Sequence, residues 1–253
     1  VKGAAALLSL LLPACALPSW TVEPRLGPVA LRGRTGLDEG AASPDNSRDE
    51  VGLENDTAAL GLRGDAALVG RHLTVTLQES AHDGDGTLGA DLMADGTTIA
   101  AGTDVSTDLT LGIASAALTF DQVLGPNVGL GFGLAVLDVD LETRTIGGTD
   151  RIAIDERVPL PFLAGRVGTR LGPVEVEGLA SALYVSALGQ RFHYLDLDLR
   201  GRLQLFTTLP RVRAWLTFGL RRTDLDLDFD VGSDEASVDW VLLGPYIGVQ
   251  VGL

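Results

Sequence analysis

The chain has one cysteine in 253 residues, Cys15 near its N-terminus, so no internal disulfide can brace it. Aromatic residues make up 5%, with three Trp and three Tyr, a thin supply for the aromatic girdles that membrane barrels carry. Past the N-terminal stretch no apolar run reaches the roughly 18 residues that a bilayer-crossing helix needs, although hydrophobic content is 45% and mean hydropathy +0.24. No stretch after residue 20 offers an amphipathic helix of three turns. Positive charge is scarce: 19 Lys and Arg against 34 Asp and Glu leave −15. A surface of that sign repels phosphate, which excludes nucleic acid as a partner.

What is present is strict alternation. In Gln190–Phe206, QRFHYLDLDLRGRLQLF, Leu195, Leu197, Leu199, Leu203 and Leu205 point one way, while Asp196, Asp198, Arg200, Arg202 and Gln204 point the other. A period of two is that of a strand. Its length exceeds the usual 5–6 residues of a soluble strand and suits a membrane-spanning one, which needs about 9–11 residues at a steep tilt. The same pattern recurs in Arg71–Gln78, Val128–Val136, Arg211–Leu220 and Val238–Leu253. Apolar residues spread over every second position escape a hydropathy window, as in barrels with lipid outside and polar groups inside. The fold class expected is therefore all-β: a closed antiparallel transmembrane β-barrel.

The N-terminus reads as an export signal, with Lys2 ahead of the short apolar core Ala4–Leu12. Leu12-Pro13-Ala14-Cys15 resembles a lipobox, which would leave Cys15 lipidated; Ala14-Cys15-Ala16 fits a signal-peptidase site, which would remove it. The expected division is residues 1–16 as signal peptide, 17–56 as a short first strand plus a loop or disordered insert, and 57–253 as the barrel. Val29, Leu31, Arg32 and Arg34 mark the short strand, and Gly36–Glu54 is rich in Gly, Ser and Asp.

Short turns alternate with longer acidic links at Glu79–Thr103, Glu142–Arg157 and Asp230–Ser237, the asymmetry of periplasmic turns and external loops. Nine strands follow between 57 and 253, and parity asks for a tenth near 25–35; eight is the alternative. Around Arg221-Arg222 and near Leu137 the apolar phase slips by one residue, which reads as a β-bulge in each strand.

The segments GTTIAAGTDVSTDLTL (96–111), VPLPFLAGRVGTRL (158–171), TDLDLDFD (223–230) and GPYIGVQVGL (244–253) resemble a family of small proteobacterial outer-membrane β-barrel proteins of unassigned function. The resemblance spans roughly residues 50–253 and implies a location in the cell outer membrane. The C-terminus is similar to the assembly signal read by the barrel assembly machinery, here Tyr246, Gly248, Val251 and Leu253. Ending in Leu is a departure from the usual Phe.

Projecting the alternation inward gives a lumen charge network of Arg166, Arg170, Glu175, Glu177, Asp196, Asp198, Arg200, Arg202, Arg211 and Arg213. Interleaved signs in so narrow a bore must pair or stay hydrated, so the expectation is a largely closed, salt-bridged lumen with a structural or interaction role. A narrow ion channel is the alternative, as is a lipid-anchored soluble barrel binding an apolar ligand. Catalysis is not expected: of three histidines, only His82 is placed in an external link beside acids, where His82 and Asp83 could form a general-base pair. Asp83-Gly84-Asp85-Gly86 spaces oxygens as a calcium loop does but lacks the later acid, so no metal and no cofactor are assigned. The partners expected are outer-membrane lipid and lipopolysaccharide, bridged by divalent cations, around a monomer. On opposite faces of one strand, Leu197→Arg should cost roughly 2–4 kcal/mol and Asp198→Asn less, since it loses at most one partner.

Membrane fractionation, with protease added to intact cells, should find the chain in the outer membrane and cut only in the acidic links. Recovery as a soluble protein without detergent would overturn this reading.

Overall fold

The computed structural model describes residues 19–38, 46–68, 70–94, 96–121, 127–187, 190–209, 212–231 and 234–252, and no helix forms among them. The strands are β1 (Ser19–Asp38), β2 (Asn46–Ser47), β3 (Asp56–Leu68), β4 (Arg71–Thr87), β5 (Leu92–Ala94), β6 (Thr97–Ile99), β7 (Asp104–Asp121), β8 (Val128–Thr145), β9 (Arg151–Leu171), β10 (Val174–Ala187), β11 (Gln190–Leu209), β12 (Val212–Val231) and β13 (Asp234–Gly252). The ten long strands pair antiparallel in sequence order, and β13 returns to β1 to close the barrel. Closure runs from Thr21 opposite Gly252 to Asp38 opposite Glu235. Eight strands is excluded, since β1 and β3 both stand in the wall.

Two expectations about the N-terminal fifth need correction. The short strand is 20 residues long and is the closing stave. Val29 and Leu31 face inward and are buried, while Arg32 and Arg34 face out. Residues 46–55 are no loose insert: Val51 and Leu53 are buried, and Gly52 lies so close to the backbone of Gly84 and Gly86 that a Cβ on any of the three would collide. Cys15 lies outside the described residues, as does Leu253.

The wall carries two polarities. Toward the termini, the outward side chains are apolar and exposed, among them Leu26, Leu60, Phe132, Leu163, Leu199, Phe218 and Ile247. Farther along the same strands the outward positions become charged. On β12 the outward series runs Leu216, Phe218, Leu220, Arg222, Asp224, Asp226, and the inward series Thr217, Gly219, Arg221, Thr223, Leu225, Leu227. The phase never changes, because β12 and β13 stay in register from Arg213 to Val231. β8 behaves alike, with Leu134 and Val136 outward, then Asp138 and Asp140, in unbroken register with β9. The bulges expected at Arg221-Arg222 and Leu137 are absent. What changes is the solvent outside: where the wall leaves the apolar band, the face meeting water becomes polar and the inward face becomes a core. The strands therefore run beyond the expected links. β4 extends to Thr87, and β8 and β9 leave only residues 146–150 between them.

That core fills the outer half. Leu109, Leu111, Leu137, Val139, Ile152, Ile154, Leu160, Leu225, Leu227 and Trp240 form one buried cluster with Val51, Leu53, Leu88, Leu92 and Ile99. The last five come from the 46–55 segment and from the stretch around the β5–β6 hairpin, which close the mouth. Each full burial is worth about 1.5–3 kcal/mol.

The inward assignment of Leu227 and the outward one of Asp226 can be checked together. Leu227→Ala should destabilise by about 2–5 kcal/mol, as buried leucines do, while Asp226→Ala should leave the unfolding midpoint in lipid vesicles nearly unchanged. Equal losses would mean that β12 changes phase after all.

Candidate functional site

The lumen of the lipid-facing half holds ionised side chains rather than an apolar core. The two-residue period brings them in as pairs on single strands: Glu23 and Arg25 on β1, Arg63 and Asp65 on β3, Asp198 and Arg200 on β11. Within strands, Arg25 Nε donates to Glu23 at 2.6 Å and Arg63 Nη2 to Asp65 at 3.0 Å. Others cross the bore. Arg200 Nη1 donates to Glu23 at 2.6 Å, and its Nη2 to Asp65 at 3.0 Å and Glu177 at 2.9 Å. Arg63 also reaches Glu177 from β3 to β10, and its Nη1 donates to Asp198 at 3.0 Å. Arg25 Nη1 joins the same oxygen of Asp198 at 2.8 Å.

Removing such charges from water costs several kcal/mol per ion unless geometry and further hydrogen bonds compensate. Here Tyr246 donates to Asp198 at 2.6 Å, Thr74 to Asp65 at 2.8 Å and Thr223 to Asp196 at 2.8 Å. Arg221 forks onto both oxygens of Asp196 at 2.8 and 3.2 Å, the bidentate geometry that favours arginine. Glu177, with Arg63, Arg166 and Arg200 around it, is the hub.

Of the residues named from sequence, Glu177, Asp196, Asp198 and Arg200 lie in this buried layer. Arg166 reaches it from the side, at 2.9 Å from Glu177. Arg202 and Glu175 form a half-buried pair of their own at 2.7 Å, and Arg202 also donates to Gln250. Arg170 is corrected: it is exposed and donates to the Gly172 carbonyl. Arg213 is likewise exposed at the end of β12, where the wall meets water, and Arg211 lies outside the described residues. Arg63 and Asp65, inward by the alternation that sets Leu60 and Leu62 outward, join the layer as that parity expects, and three members went unnamed: Glu23, Arg25 and Arg221. The alternation Thr21-Val22-Glu23-Pro24-Arg25-Leu26 carried the signal for the first two. Of the assembly-signal residues, Val251 faces out, Gly248 faces in, and Tyr246 serves the network.

Above this layer a cavity of about 40 Å³ opens beside Arg25, Gln78, Arg221 and Tyr246, room for a few waters at most. Arg25 Nη2 makes no hydrogen bond among the described residues. The adjacent seam is irregular: β1 and β13 are bridged at Leu26–Ile247 and again at Ala30–Leu243, with nothing between. Pro28 and Pro245 face each other in that gap, and neither can donate.

The histidines are dispersed. His82 does not sit in a loop; it is on β4, faces inward and is 1% exposed, with Nδ1 3.2 Å from the Glu54 carbonyl. Burial holds its imidazole below the usual value. Asp83 and Asp85 lie on the opposite face of that strand and are exposed, so neither the His82–Asp83 pair nor the calcium loop forms. His193 faces out, against Tyr184, and no metal-ligating cluster occurs among the described residues.

The single-partner expectation for Asp198 is also corrected, since Arg25, Arg63 and Tyr246 all bind it. Asp198→Asn should therefore cost about 3–5 kcal/mol, as breaking a buried pair does, rivalling Leu197→Arg. Vesicle unfolding midpoints of the two variants decide this.

No family model and no curated protein sequence matches the chain. Among solved structures it is similar to the outer membrane protease OmpT from Escherichia coli, with a TM-score of 0.60 at 10% identity over 96% of this chain and 99% of that one. Weaker matches include the translocator domain of the autotransporter NalP from Neisseria meningitidis (TM-score 0.39, 12% identity, 93% and 88% covered) and the attachment invasion locus protein Ail of Yersinia pestis (0.31, 9%, 91% and 99%). The fold is thus a closed ten-stranded antiparallel barrel of the outer-membrane kind.

Proposed function

We propose that this protein is an integral outer-membrane barrel with a closed lumen, serving a structural or interaction role rather than conducting solutes or catalysing a reaction. The observation that carries this reading is the Arg–carboxylate layer spanning the bore from Glu23 on β1 to Arg200 on β11 and from Arg63 on β3 to Glu177 on β10. A pore needs a continuous water column, and two barriers oppose one here: the ionic layer, and above it the apolar core with the β5–β6 hairpin. A soluble ligand-binding barrel is disfavoured by the exposed Leu60, Phe132, Leu163 and Ile247, an apolar belt too large for water. The likeness to a protease is one of fold. Against a shared chemistry stands the placement of His82 inside the wall and Asp83 outside it. The partners of this reading are lipopolysaccharide, bridged to the acidic outer half by divalent cations, and the barrel assembly machinery.

Liposomes carrying the purified protein should not swell in iso-osmotic sugar, and planar bilayers should show no steady conductance. Glu177→Gln should raise ion leak while lowering stability, because three arginines lose their common anion and one of its two acceptor oxygens becomes a donor. Rapid swelling with the unmutated protein would falsify the closed-lumen reading.

A further inference from the structure

The wall is not equally complete all round. β9 is bridged to β8 along nearly its whole length, from Arg151–Arg144 to Val167–Val128. Its bridges to β10 run only from Leu171–Val174 to Leu163–Ala182. Leu183–Ser186 of β10 continue in pairing with β11 alone. On the β9–β10 register Ala187, the last residue of β10, comes level with Val158, so the outer end of β9 has no strand beside it among the described residues.

The prolines show which way the backbone of this edge points. Pro159 and Pro161 keep unbroken bridges to β8 at Val136 and Leu134. A proline can hold such a bridge only where its nitrogen faces the other side. Hence the odd residues of β9 present their backbone to the open side. At lipid depth Pro159 and Pro161 blunt the edge, since an unpaired N–H in lipid is costly. Beyond them, Ala153, Asp155 and Arg157 offer ordinary N–H and C=O groups to water.

A second, independent feature adjoins this edge. Arg151 and Arg157 are drawn back onto Glu142 and Asp138 of β8. Asp155 instead stands directly opposite Asp140, both exposed, with no cation at salt-bridge distance from either among the described residues. Like charges directly opposite in a ladder are destabilising. Farther round, Asp83 opposes Asp108, which Arg144 reaches at 3.9 Å. Of the inward neighbours, Ile152, Ile154 and Val158 are apolar and buried, with the half-buried Glu156 among them.

From these we infer that the outer edge of β9, Arg151–Arg157, is a docking site for an extended cationic peptide with alternating basic and apolar residues, which adds to the sheet as a strand. Its backbone bonds Ala153, Asp155 and Arg157, its basic side chains relieve the Asp140–Asp155 opposition, and its apolar side chains extend the core. A second copy of the chain fits poorly. In one membrane the two β9 strands would meet in parallel, which brings Asp155 toward Asp155. The inference rests on the reading that the acidic half faces outward, and it is independent of whether the lumen conducts.

The test uses the full chain in detergent micelles and a labelled twelve-residue peptide of alternating Lys and Val, with Glu replacing Lys in the control. Fluorescence anisotropy should show saturable binding of the Lys peptide, at least about tenfold tighter than the Glu peptide and weakened by salt. Hydrogen exchange at the amides of Ala153, Asp155 and Arg157 should be fast in the free protein and slowed on binding. Asp155→Asn should weaken binding several-fold, and Ala153→Pro, which removes one donor, at least as much. Because Ala153→Pro could disturb folding, the exchange data on the unmutated protein stand as the independent criterion. Absence of binding, equal binding of the Glu peptide, or binding that leaves these three amides unprotected each overturns the inference. Liposome swelling has no bearing on these outcomes, so failure here is distinguishable from failure of the closed-lumen reading.

Discussion

The structure depends on one arrangement: carboxylates from several strands held by arginines that each grip more than one of them. Arg200 alone ties β11 to β1, β3 and β10 through Glu23, Asp65 and Glu177. Each such arginine fixes the register of distant strands as well as filling the bore, and a one-residue slip of any stave would turn its member of the network toward lipid. The basic residues are almost all arginine; Lys2, outside the described residues, is the sole lysine. A guanidinium offers five donors in a rigid plane and stays charged, which a three-donor ammonium on a flexible stem cannot match across a crowded lumen. Buried ion pairs are often a poor source of stability against an apolar filling. Their use here follows from the neighbourhood: with lipid outside, an inward charge is what separates the two faces of the wall.

The same reasoning explains why the filling changes at mid-height. A strand has only two faces, and the outer solvent decides which of them may be apolar. In lipid the outward face is Leu-rich and the lumen ionic; in water the outward face is Asp-rich and the lumen is a hydrophobic core. The switch costs no change of phase, so each strand continues straight through the boundary, as β12 does between Leu220 and Arg222. The upper half thus has the polarity of a soluble barrel stacked on a membrane one. Stability of the two halves should be of different kinds, entropic apolar burial above and desolvated ion pairing below.

The lower half was legible in the sequence for this reason. Leu197 and Asp198, or Leu60 and Arg63, declare their faces by chemistry once lipid is assumed outside, and closure and strand number follow from counting such segments. The upper half misled because the lipid rule was carried past the point where it holds. Leu225 and Leu227, set off from Leu216, Phe218 and Leu220 by an expected slip of phase, are inward without one, and the acids between them meet water. Val29 and Leu31 concealed a stave whose diagnostic residues, Arg25 and Glu23, lie two and three periods of the alternation before Val29. Arg221 hid beside Arg222, since adjacent arginines on opposite faces look like a disruption of phase. Arg170 and Arg213 show the complementary error: inward parity near a strand end leads into the water at the rim. No spacing in the sequence could have revealed the cross-bore partners, which are set by closure, as between Arg63 and Glu177, 114 residues apart.

Proline placement carries the argument one step further. Pro28 and Pro245 keep their bridges to β3 and β12, so their nitrogens face each other across the closing seam, and Pro159 and Pro161 line the bare edge of β9. All four lie where the ladder is broken beside lipid. A break in hydrocarbon leaves donors and acceptors without water to bond, and proline removes the donor altogether. The acceptors at the seam are met differently. Gly27 and Gly244 let the carbonyls of Pro245 and Pro28 approach so closely that a Cβ would collide, an approach that allows weak Cα–H···O contact in place of the missing N–H. Above the bilayer the same edge of β9 changes to Ala153, Asp155 and Arg157, which keep their donors. Where lipid forbids an unpaired edge the sequence silences it, and where water or a partner strand can satisfy one the edge is left able to bond.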